Sequence, residues 1–383
     1  GYVALEDTGA FGPGMMDAGA KYFFALAKPP AVTELVKRVE GAVVETRREW
    51  EEGRLRPRLG EAMARAGAVH QQVIACWVPK GGGSTRTTIC VNLAAALALA
   101  GNPVVVVDFD QTKGDAHLML GFAADNALSV TRRMVVVERG LYDLIVNVHA
   151  RWPQSGAQGR DGAGKNVVTA ALLNQYLVKW APGGSIQAGV GYRLHLLPGL
   201  TAAHQAGTEA FSDAGFVHEA GLAILDALKA MYTFVIVDIG QDYNLPLHAA
   251  ALKAATEVLV PISPVNTAVV DVARGLPALR GYFGNLEKFR WLPTAWREGP
   301  DSPSLKRITE AVGLLRLDVI IPHDLEVADA AVNGGMPFAL TDAGPLGEAI
   351  RALARNYDPS VPRHRSRKRG DWRRWFSFLV REA

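Results

Sequence analysis

A glycine-rich segment is the first part of this 383-residue sequence whose residue types point to chemistry. Three consecutive glycines stand between a lysine and a run of hydroxyl side chains that one arginine interrupts. In such a loop, backbone N–H groups turn inward around phosphate oxygens, and a following helix adds the positive end of its dipole. The segment predicts a phosphate-binding loop, and its members are Lys80, Gly81, Gly82, Gly83, Ser84, Thr85, Arg86, Thr87 and Thr88.

Carboxylates follow two later apolar runs of the sequence. Asp108 and Asp110 come after residues 104–107, and Asp238 comes after residues 234–237. Because the carboxyl ends of parallel strands meet at the edge of a sheet where ligands bind, these acids are expected to lie beside the glycine loop. The convergence of the three segments favours a ligand site over a flexible turn.

The elements that must position these residues alternate between strand and helix. Residues 73–78 are predicted to form a strand before the loop, and residues 87–100 an Ala/Leu-rich helix after it. Strands that are apolar on both faces and alternate with helices indicate a parallel sheet covered on both sides. The fold class predicted is therefore α/β, with a mainly parallel, doubly wound sheet of the P-loop NTPase type. Further strands are predicted at residues 104–107, 194–197, 234–237, 258–260 and 319–321.

Composition narrows the class of protein. A chain that is 49 % hydrophobic and 21 % charged is typical of soluble globular proteins, and its length suits two or three domains. Cys76 and Cys90 fall within a predicted strand and helix, which argues against a disulfide framework and favours a reducing cytoplasm. The sequence shows neither a bilayer-spanning apolar stretch nor a signal peptide. Gly1 is not an initiator Met, so the native N-terminus is expected to lie further upstream.

The net charge of +3 is concentrated at the C-terminus. Residues 363–383 carry a net charge of +6, which leaves −3 for the rest of the chain. Aromatic and apolar residues of this tail recur at helical spacing on one face, with arginines elsewhere. This pattern predicts an interfacial helix on an anionic membrane, although docking on the protein's own core or a nucleic-acid arm would also use it. The residues concerned are Trp372, Arg373, Arg374, Trp375, Phe376 and Leu379.

Short motifs within residues 73–357 resemble the MinD/ParA family of deviant Walker ATPases. The resemblance implies ATP or ADP with Mg²⁺ as ligands, and a homodimer in which Lys80 reaches the nucleotide of the second subunit. The matching stretches are Pro-Lys-Gly-Gly at 79–82, Asn-Leu-Ala-Ala-Ala at 92–96, Val-Asp-Phe-Asp-Gln at 107–111, Phe-Val-Ile-Val-Asp at 234–238 and Ile-Pro-His-Asp at 321–324.

The phosphate loop departs from that family's pattern. From Lys80 to Asn92 there is one residue more than the usual spacing, and Arg86 is the nearest substitute for the phosphate-binding lysine. Arginine keeps the charge, but its planar fork differs from a compact ammonium. The extra residue shifts the backbone by up to about 3.5 Å. We therefore expect nucleotide binding with slow ATP hydrolysis.

Residue roles follow from the same resemblance. Thr87 is expected to bind magnesium, while Asp108 and Asp238 hold the metal through water. Asp110 is expected to position or deprotonate the attacking water. For Asp108, the alternative is a capping role at the end of its strand.

The resemblance weakens where the base would bind. The family's adenine-binding Asn is expected near residues 292–296, which read Leu-Pro-Thr-Ala-Trp, whereas Pro322 and Asp324 retain the other side of that pocket. Residues 113–115 and 241–242 follow the two acidic strands. Their sequence leaves open whether they respond to the γ-phosphate or form ordinary solvated turns.

The order of segments carries a further resemblance. Residues 1–50 read as a β-α-β-α segment similar to the last part of a response-regulator receiver domain, with an unrelated βα cap as the alternative. Residues 51–70 form a charged linker, residues 71–357 the ATPase domain and residues 358–383 the basic aromatic tail. This order resembles the TadZ/CpaE branch of the family, which positions tight-adherence pilus secretion machinery.

The leading functional interpretation is a nucleotide-dependent dimeric organiser of pilus or secretion assembly proteins, cytoplasmic and peripheral at the inner face of the cell membrane. The alternative is a ParA-type DNA-partition ATPase that binds DNA without sequence preference. A reductase on the same fold is disfavoured, because Cys76 and Cys90 lie in elements flanking the phosphate loop and suit small core residues instead.

Overall fold

The computed structural model describes residues 2–6, 20–25, 71–79, 85–123, 135–152, 167–180, 193–297, 299–300, 302–341 and 343–363. Several predictions concern residues outside these ranges. They are the roles of Lys80, Gly81, Gly82, Gly83 and Ser84 in the phosphate loop, the linker at 51–70, and the membrane helix with Trp372, Arg373, Arg374, Trp375, Phe376 and Leu379.

The chain divides into two compact units, of which the first comprises residues 1–71 and 229–233. Its described strands, β1 (Tyr2–Glu6) and β2 (Ala20–Ala25), pair in parallel. Parallel neighbours need a crossover connection rather than a tight hairpin, as the β-α-β order requires. Both strands lie within residues 1–50, for which the sequence predicts a β-α-β-α order. The likeness of this segment to a receiver domain stays a prediction.

The second unit, residues 72–228 and 234–383, is built on an eight-stranded sheet. Neighbouring strands are parallel throughout, except for the antiparallel edge pair of β7 and β8. The α/β, mainly parallel class is therefore confirmed. Across the sheet the strands are β12 (Leu315–Arg316), β11 (Phe289–Pro293), β10 (Glu257–Ile262), β3 (Gln72–Cys76), β9 (Phe234–Asp238), β4 (Val104–Asp108), β8 (Leu194–Leu197) and β7 (Val178–Lys179).

Helices connect these strands, and a small parallel pair, β5 (Phe122–Ala123) and β6 (Val135–Val136), lies apart from the main sheet. No helix among the described residues combines the length and apolar character that a bilayer crossing requires. The helices are α1 (Arg86–Leu99), α2 (Ala116–Met119), α3 (Leu141–Arg151), α4 (Ala170–Leu173), α5 (Glu209–Ser212), α6 (Ala214–Lys229), α7 (Pro246–Ala254), α8 (Asn266–Phe283), α9 (Leu305–Val312), α10 (Leu325–Gly334) and α11 (Gly344–Arg355).

The core lies on the central strands. Every residue of β4 and β9 is buried, which accounts for their uninterrupted apolar runs. The helix α1 is buried along most of its length, because its alanines let it approach the sheet closely. Cys76 and Cys90 are both buried free thiols, as expected of small core residues.

One predicted strand is wrong. Residues 319–321 form no strand, and only an isolated parallel bridge joins Trp296 to Pro322 beyond them. Ile321 donates its N–H to the carbonyl of Pro293 at the end of β11 and accepts from the N–H of Trp296, so the contact is limited to this short stretch. The strands on this side of the sheet are β11, whose apolar run Arg290 interrupts, and the two-residue edge strand β12, and the sequence pattern missed both.

Candidate functional site

The candidate site lies at the carboxyl ends of three adjacent strands. β9 is hydrogen-bonded between β3 and β4, and Asp108 and Asp238 are register partners at the ends of β4 and β9. β3 leads toward the glycine loop, and α1 begins at Arg86. We call residues 109–115 the first acidic loop and residues 239–245 the second acidic loop. The edge of the sheet thus brings the predicted acids to the N-terminus of α1.

The N-terminus of α1 has an unusual backbone. Thr85, its N-cap, has φ 53°, a left-handed conformation that residues other than glycine adopt uncommonly. Its side-chain Oγ1 is buried and has no hydrogen-bond partner among the described residues. The first turn contains no acidic residue, so the positive end of the helix dipole is left for an external anion. These features suit a phosphate group.

Arg86 ties the start of α1 to both acidic loops. Its Nη2 lies 3.6 Å from Oδ2 of Asp110, and the side chains of the pair are only 11 % and 7 % exposed. Its Nη1 donates a hydrogen bond to the carbonyl oxygen of Ile239. The guanidinium of Arg86 therefore lies against one carboxylate and one backbone carbonyl.

Asp110 accepts hydrogen bonds on one carboxylate oxygen and faces a guanidinium with the other. Oδ1 accepts from the backbone N–H of Thr112 at 2.9 Å, from its hydroxyl at 2.5 Å, and from the backbone N–H of Lys113 at 3.1 Å. Oδ2 faces Arg86. The carboxylate thereby organises the first acidic loop.

Asp108 is completely buried, and its carboxylate binds backbone N–H groups at the two ends of the first acidic loop. Its Oδ1 accepts from the backbone N–H of Asp110 at 3.2 Å, and its Oδ2 from that of Ala116 at 3.0 Å. A Cβ on Gly199 would lie 2.7 Å from the carboxylate carbon, so this approach requires glycine. Burial raises the pKa of Asp108, and the nearby charge of Asp238 adds to the effect. Its contacts suit the capping role as well as a metal bound through water.

Asp238 is buried, and one of its carboxylate oxygens is left without a hydrogen bond within the described part of the chain. Burial raises its pKa to about 6, against the opposing effects of the Arg86 charge and a hydrogen bond from Thr87. Its Oδ1 has no hydrogen-bond partner among the described residues. An unpaired buried carboxylate oxygen is costly, and a cation or its water would satisfy it.

These residues fit a magnesium ion. Mg²⁺ is usually held by one or two carboxylates, several waters and substrate phosphates rather than by a full protein cage. Accordingly, the described residues contain no cluster of three or more His, Cys, Asp or Glu ligands. Thr87 and Asp238, already joined by a hydrogen bond, are the residues that would hold it.

Sequence patterns gave no indication of His248, a completely buried residue of α7. Its Nε2 accepts hydrogen bonds from Gln111 in the first acidic loop and from Gly240 in the second. Trp77, just after β3, donates its indole N–H to the carbonyl of Gln241 at 3.1 Å. A lone histidine or tryptophan in an apolar segment has no diagnostic spacing, so neither residue could be found from sequence.

The two segments predicted to flank the base are joined by backbone hydrogen bonds. Trp296 donates its N–H to the carbonyl of Ile321 at 3.0 Å and accepts from the N–H of His323 at 3.1 Å. Asp324 caps α10, because its Oδ1 accepts from the N–H of Val327 at 3.1 Å. Backbone contacts therefore bring residues 292–296 and the Pro322–Asp324 turn together, and their part in binding a base stays a prediction.

Comparison with known proteins finds the fold but no sequence family. No protein-family model matches the sequence, and no curated protein matches it. A ParA family ATPase from Chlorobium tepidum superposes with a TM-score of 0.56 at 14 % identity, covering 74 % of this chain and 98 % of that one.

Two further solved structures are similar. MinD from Pyrococcus horikoshii, complexed with Mg-ADP, gives a TM-score of 0.52 at 18 % identity and covers 74 % of this chain and 95 % of its own. A McdA–ATP complex from Cyanothece gives 0.52 at 15 % identity, covering 78 % and 100 %. The chain thus has the MinD/ParA type of P-loop NTPase fold.

Proposed function

We propose that this chain binds ATP or ADP with Mg²⁺ and acts as a nucleotide-dependent homodimer whose ATP hydrolysis is impaired. The observation that carries the proposal is the first turn of α1. There an uncapped, positively polarised helix end, Arg86 and the Thr87–Asp238 pair converge on one edge of the sheet. The presence of Mg-ADP and ATP in similarly folded MinD and McdA structures supports the choice of ligand.

Each described residue has a defined part in this proposal. The N–H groups at the start of α1 would meet phosphate oxygens, and the guanidinium of Arg86, which has five N–H donors, would reach a phosphate oxygen while keeping its contact with Asp110. Thr87 and Asp238 would hold the metal, which supplies neutralisation of phosphate charge. Lys80 would reach the nucleotide of the second subunit.

Impaired hydrolysis follows from the surroundings of Asp110. A general base needs a free lone pair within hydrogen-bond reach of the proton that it removes. Three donors occupy Oδ1 of Asp110, and the Arg86 guanidinium faces Oδ2. As long as these contacts persist, Asp110 is a poor base, and we expect the extra residue of the loop to move the γ-phosphate further from it.

The test measures ATP binding and ATP turnover on the same sample of the full chain. We expect saturable, Mg²⁺-dependent ATP binding with turnover far below the roughly 1 to 10³ per second typical of enzymes. Absence of nucleotide binding would contradict the proposal and leave a scaffold. Rapid turnover would contradict the part assigned to Asp110.

We further propose that the tail, residues 358–383, attaches the dimer to an anionic membrane. Basic residues near such a surface contribute about 1 kcal/mol each, so the net charge of +6 on residues 363–383 supplies on the order of 6 kcal/mol before aromatic insertion. One tail would bind weakly and two joined tails firmly, because the second attachment becomes intramolecular. Dimerisation would thereby control membrane residence.

Substitution of the tail aromatics separates membrane from DNA binding. Trp375→Ser with Phe376→Ser is expected to abolish co-sedimentation with phosphatidylserine vesicles, because the arginines alone provide no apolar insertion. If this variant still bound vesicles but lost a salt-dependent binding of DNA, the result would instead favour the DNA-partition function.

At its most specific, the proposal is an organiser that positions pilus or secretion assembly proteins. The order of the receiver-like segment, linker, P-loop domain and tail supports it by analogy. A fluorescent fusion of the full chain is expected to form membrane foci that coincide with pilus assembly proteins. Fluorescence spread over the nucleoid would contradict this assignment.

A further inference from the structure

The two acidic loops meet at one buried side chain. His248 is the third residue of α7 and is completely buried. Its Nε2 lies 3.2 Å from the backbone nitrogen of Gln111 in the first loop and 3.1 Å from that of Gly240 in the second. Its Nδ1 lies 2.7 Å from the carbonyl oxygen of Asp242. One imidazole thus contacts backbone groups of both loops.

The contacts of His248 assign its proton. Because Nε2 accepts from two backbone N–H groups, the proton must sit on Nδ1, which donates to the carbonyl of Asp242. Burial lowers the pKa of this histidine, consistent with a neutral ring. The imidazole therefore accepts from two backbone donors, of which that of Gly240 is buried, and donates to a carbonyl that also accepts from the N–H of Leu245.

A second contact links the first loop to the same helix. The side-chain Oε1 of Gln111 accepts from the backbone N–H of Leu247 at 2.9 Å, in the first turn of α7. Gly240 packs so closely that a Cβ there would overlap the His248 ring and lie 2.7 Å from Oδ1 of Asp110. Neither loop has room to shift without disturbing the other.

We propose that His248 is a positioning residue that couples the two acidic loops, so that a displacement of the loop carrying Asp110 is transmitted to the loop carrying Gln241 and Asp242. The coupling is a property of the free chain. That a nucleotide phosphate drives it rests on the proposed function.

Hydrogen–deuterium exchange of the nucleotide-free full chain tests the coupling. Loss of a buried acceptor leaves backbone N–H groups unpaired and opens them to solvent. We expect His248→Leu to accelerate exchange at least about tenfold in peptides covering both residues 109–115 and residues 239–245. His248→Gln, whose Oε1 can replace Nε2 as acceptor, is expected to restore most of the protection in both peptides.

A change on one side should be felt on the other. Gln111→Ala removes the side-chain contact with Leu247 while keeping the backbone N–H, and it is expected to accelerate exchange severalfold in the second loop as well as the first. Lys113→Ala is the control in the first loop, because its ammonium is exposed and pairs with Asp115 within the same loop. It should leave exchange in residues 239–245 unchanged. His195→Gln, at a buried histidine of β8, controls for loss of an imidazole elsewhere.

Two outcomes would overturn the coupling. One is an effect of Gln111→Ala confined to the first loop, a result that stands even if His248→Leu does not fold. The other is failure of His248→Gln to restore protection in either loop. Addition of Mg-ATP then separates the two proposals, since the wild-type chain should gain protection in both loops and His248→Leu only in the first. A wild-type chain that ignores ATP refutes the proposed ligand without affecting the coupling.

Discussion

The candidate site has two ends that differ in their interactions, the predicted phosphate end at the start of α1 and the predicted base end around Trp296. At the phosphate end, buried charged groups converge, with Arg86 against Asp110 and Asp238 beside Thr87. At the base end, the turn before α10 is held by backbone hydrogen bonds of Trp296, and Asp324 is occupied in capping that helix. The phosphate end keeps polar groups without hydrogen-bond partners among the described residues, which an anion and a metal could supply. At the base end, the backbone groups of Trp296 and the carboxylate of Asp324 already form hydrogen bonds within the protein.

This difference indicates where affinity and selectivity arise. Charge-assisted hydrogen bonds to phosphate are roughly twice as strong as neutral ones, so binding should depend on the phosphate end. Discrimination between bases needs polar side chains directed at the base edge, and residues 292–296 contain no Asn and have Thr294 buried. We therefore expect tight dependence on phosphate and metal, with weak selectivity for adenine.

The largest effect is expected from Asp238→Asn on stability. The folded-state pKa of about 6 lies above the unfolded value near 3.9, so folding becomes less favourable as pH rises through this window. The free energy of unfolding lost by pH 8 is up to about 3 kcal/mol, because each pKa unit corresponds to about 1.4 kcal/mol. Asp238→Asn should therefore be more stable than wild type at pH 8 in EDTA, with the difference disappearing below pH 4.

Asp324→Asn is the matched substitution at the base end. Asn is as good an N-cap as Asp, so the free energy of unfolding of Asp324→Asn, measured by urea titration, should stay within about 0.5 kcal/mol of that of wild type. If Asp238→Asn were no more stable than wild type at pH 8, the phosphate end would not hold the electrostatic cost ascribed to it.

Arg86→Ala is expected to lower ATP affinity at least about tenfold, or 1.4 kcal/mol, since it removes the guanidinium from the phosphate end. Arg86→Lys should retain most of the affinity, because the charge remains. Titration of a fluorescent ATP analogue measures both. Lys306→Ala is the control, as this lysine is 85 % exposed on α9 and pairs only with Glu310 at the surface. Equal losses for Arg86→Ala and Lys306→Ala would contradict a local phosphate contact.

The smallest effect is expected at the base end. Trp296→Ala should change ATP affinity less than about threefold, because this residue uses backbone groups that alanine retains. ATP and GTP should compete for the wild-type site with affinities within about tenfold of each other, or 1.4 kcal/mol. A strong preference for ATP that Trp296→Ala removes would reverse the comparison between the two ends.

How much of the site could be predicted differs between its parts. The central strands and the acids at their ends were predictable, because fully buried parallel strands leave uninterrupted apolar runs that stop at Asp108 and Asp238. The strands toward the β12 edge were not, since Arg290 interrupts the apolar run of β11, β12 is only two residues long, and the apolar run at 319–321 forms no strand. A strand so short, or one so interrupted, leaves no run of the length by which strands are recognised.

The contacts of individual side chains could not be predicted from the sequence either. Arg86 stood out as a substitute for lysine, but its contact with Asp110 and with the carbonyl of Ile239 depends on how two loops fold over α1. The contacts of His248 join positions that are 137 residues apart and involve backbone atoms, which leave no trace in residue type.

The central claim is that nucleotide binding drives dimerisation while hydrolysis stays slow. The most direct test is the solution mass of the full chain by light scattering in Mg-ATP, in Mg-ADP and without nucleotide. We predict about twice the monomer mass of 41.1 kDa in Mg-ATP, persisting for the life of the sample, and 41.1 kDa in the other two conditions, with Lys80→Ala monomeric throughout. The same mass in Mg-ATP as without nucleotide would contradict the account.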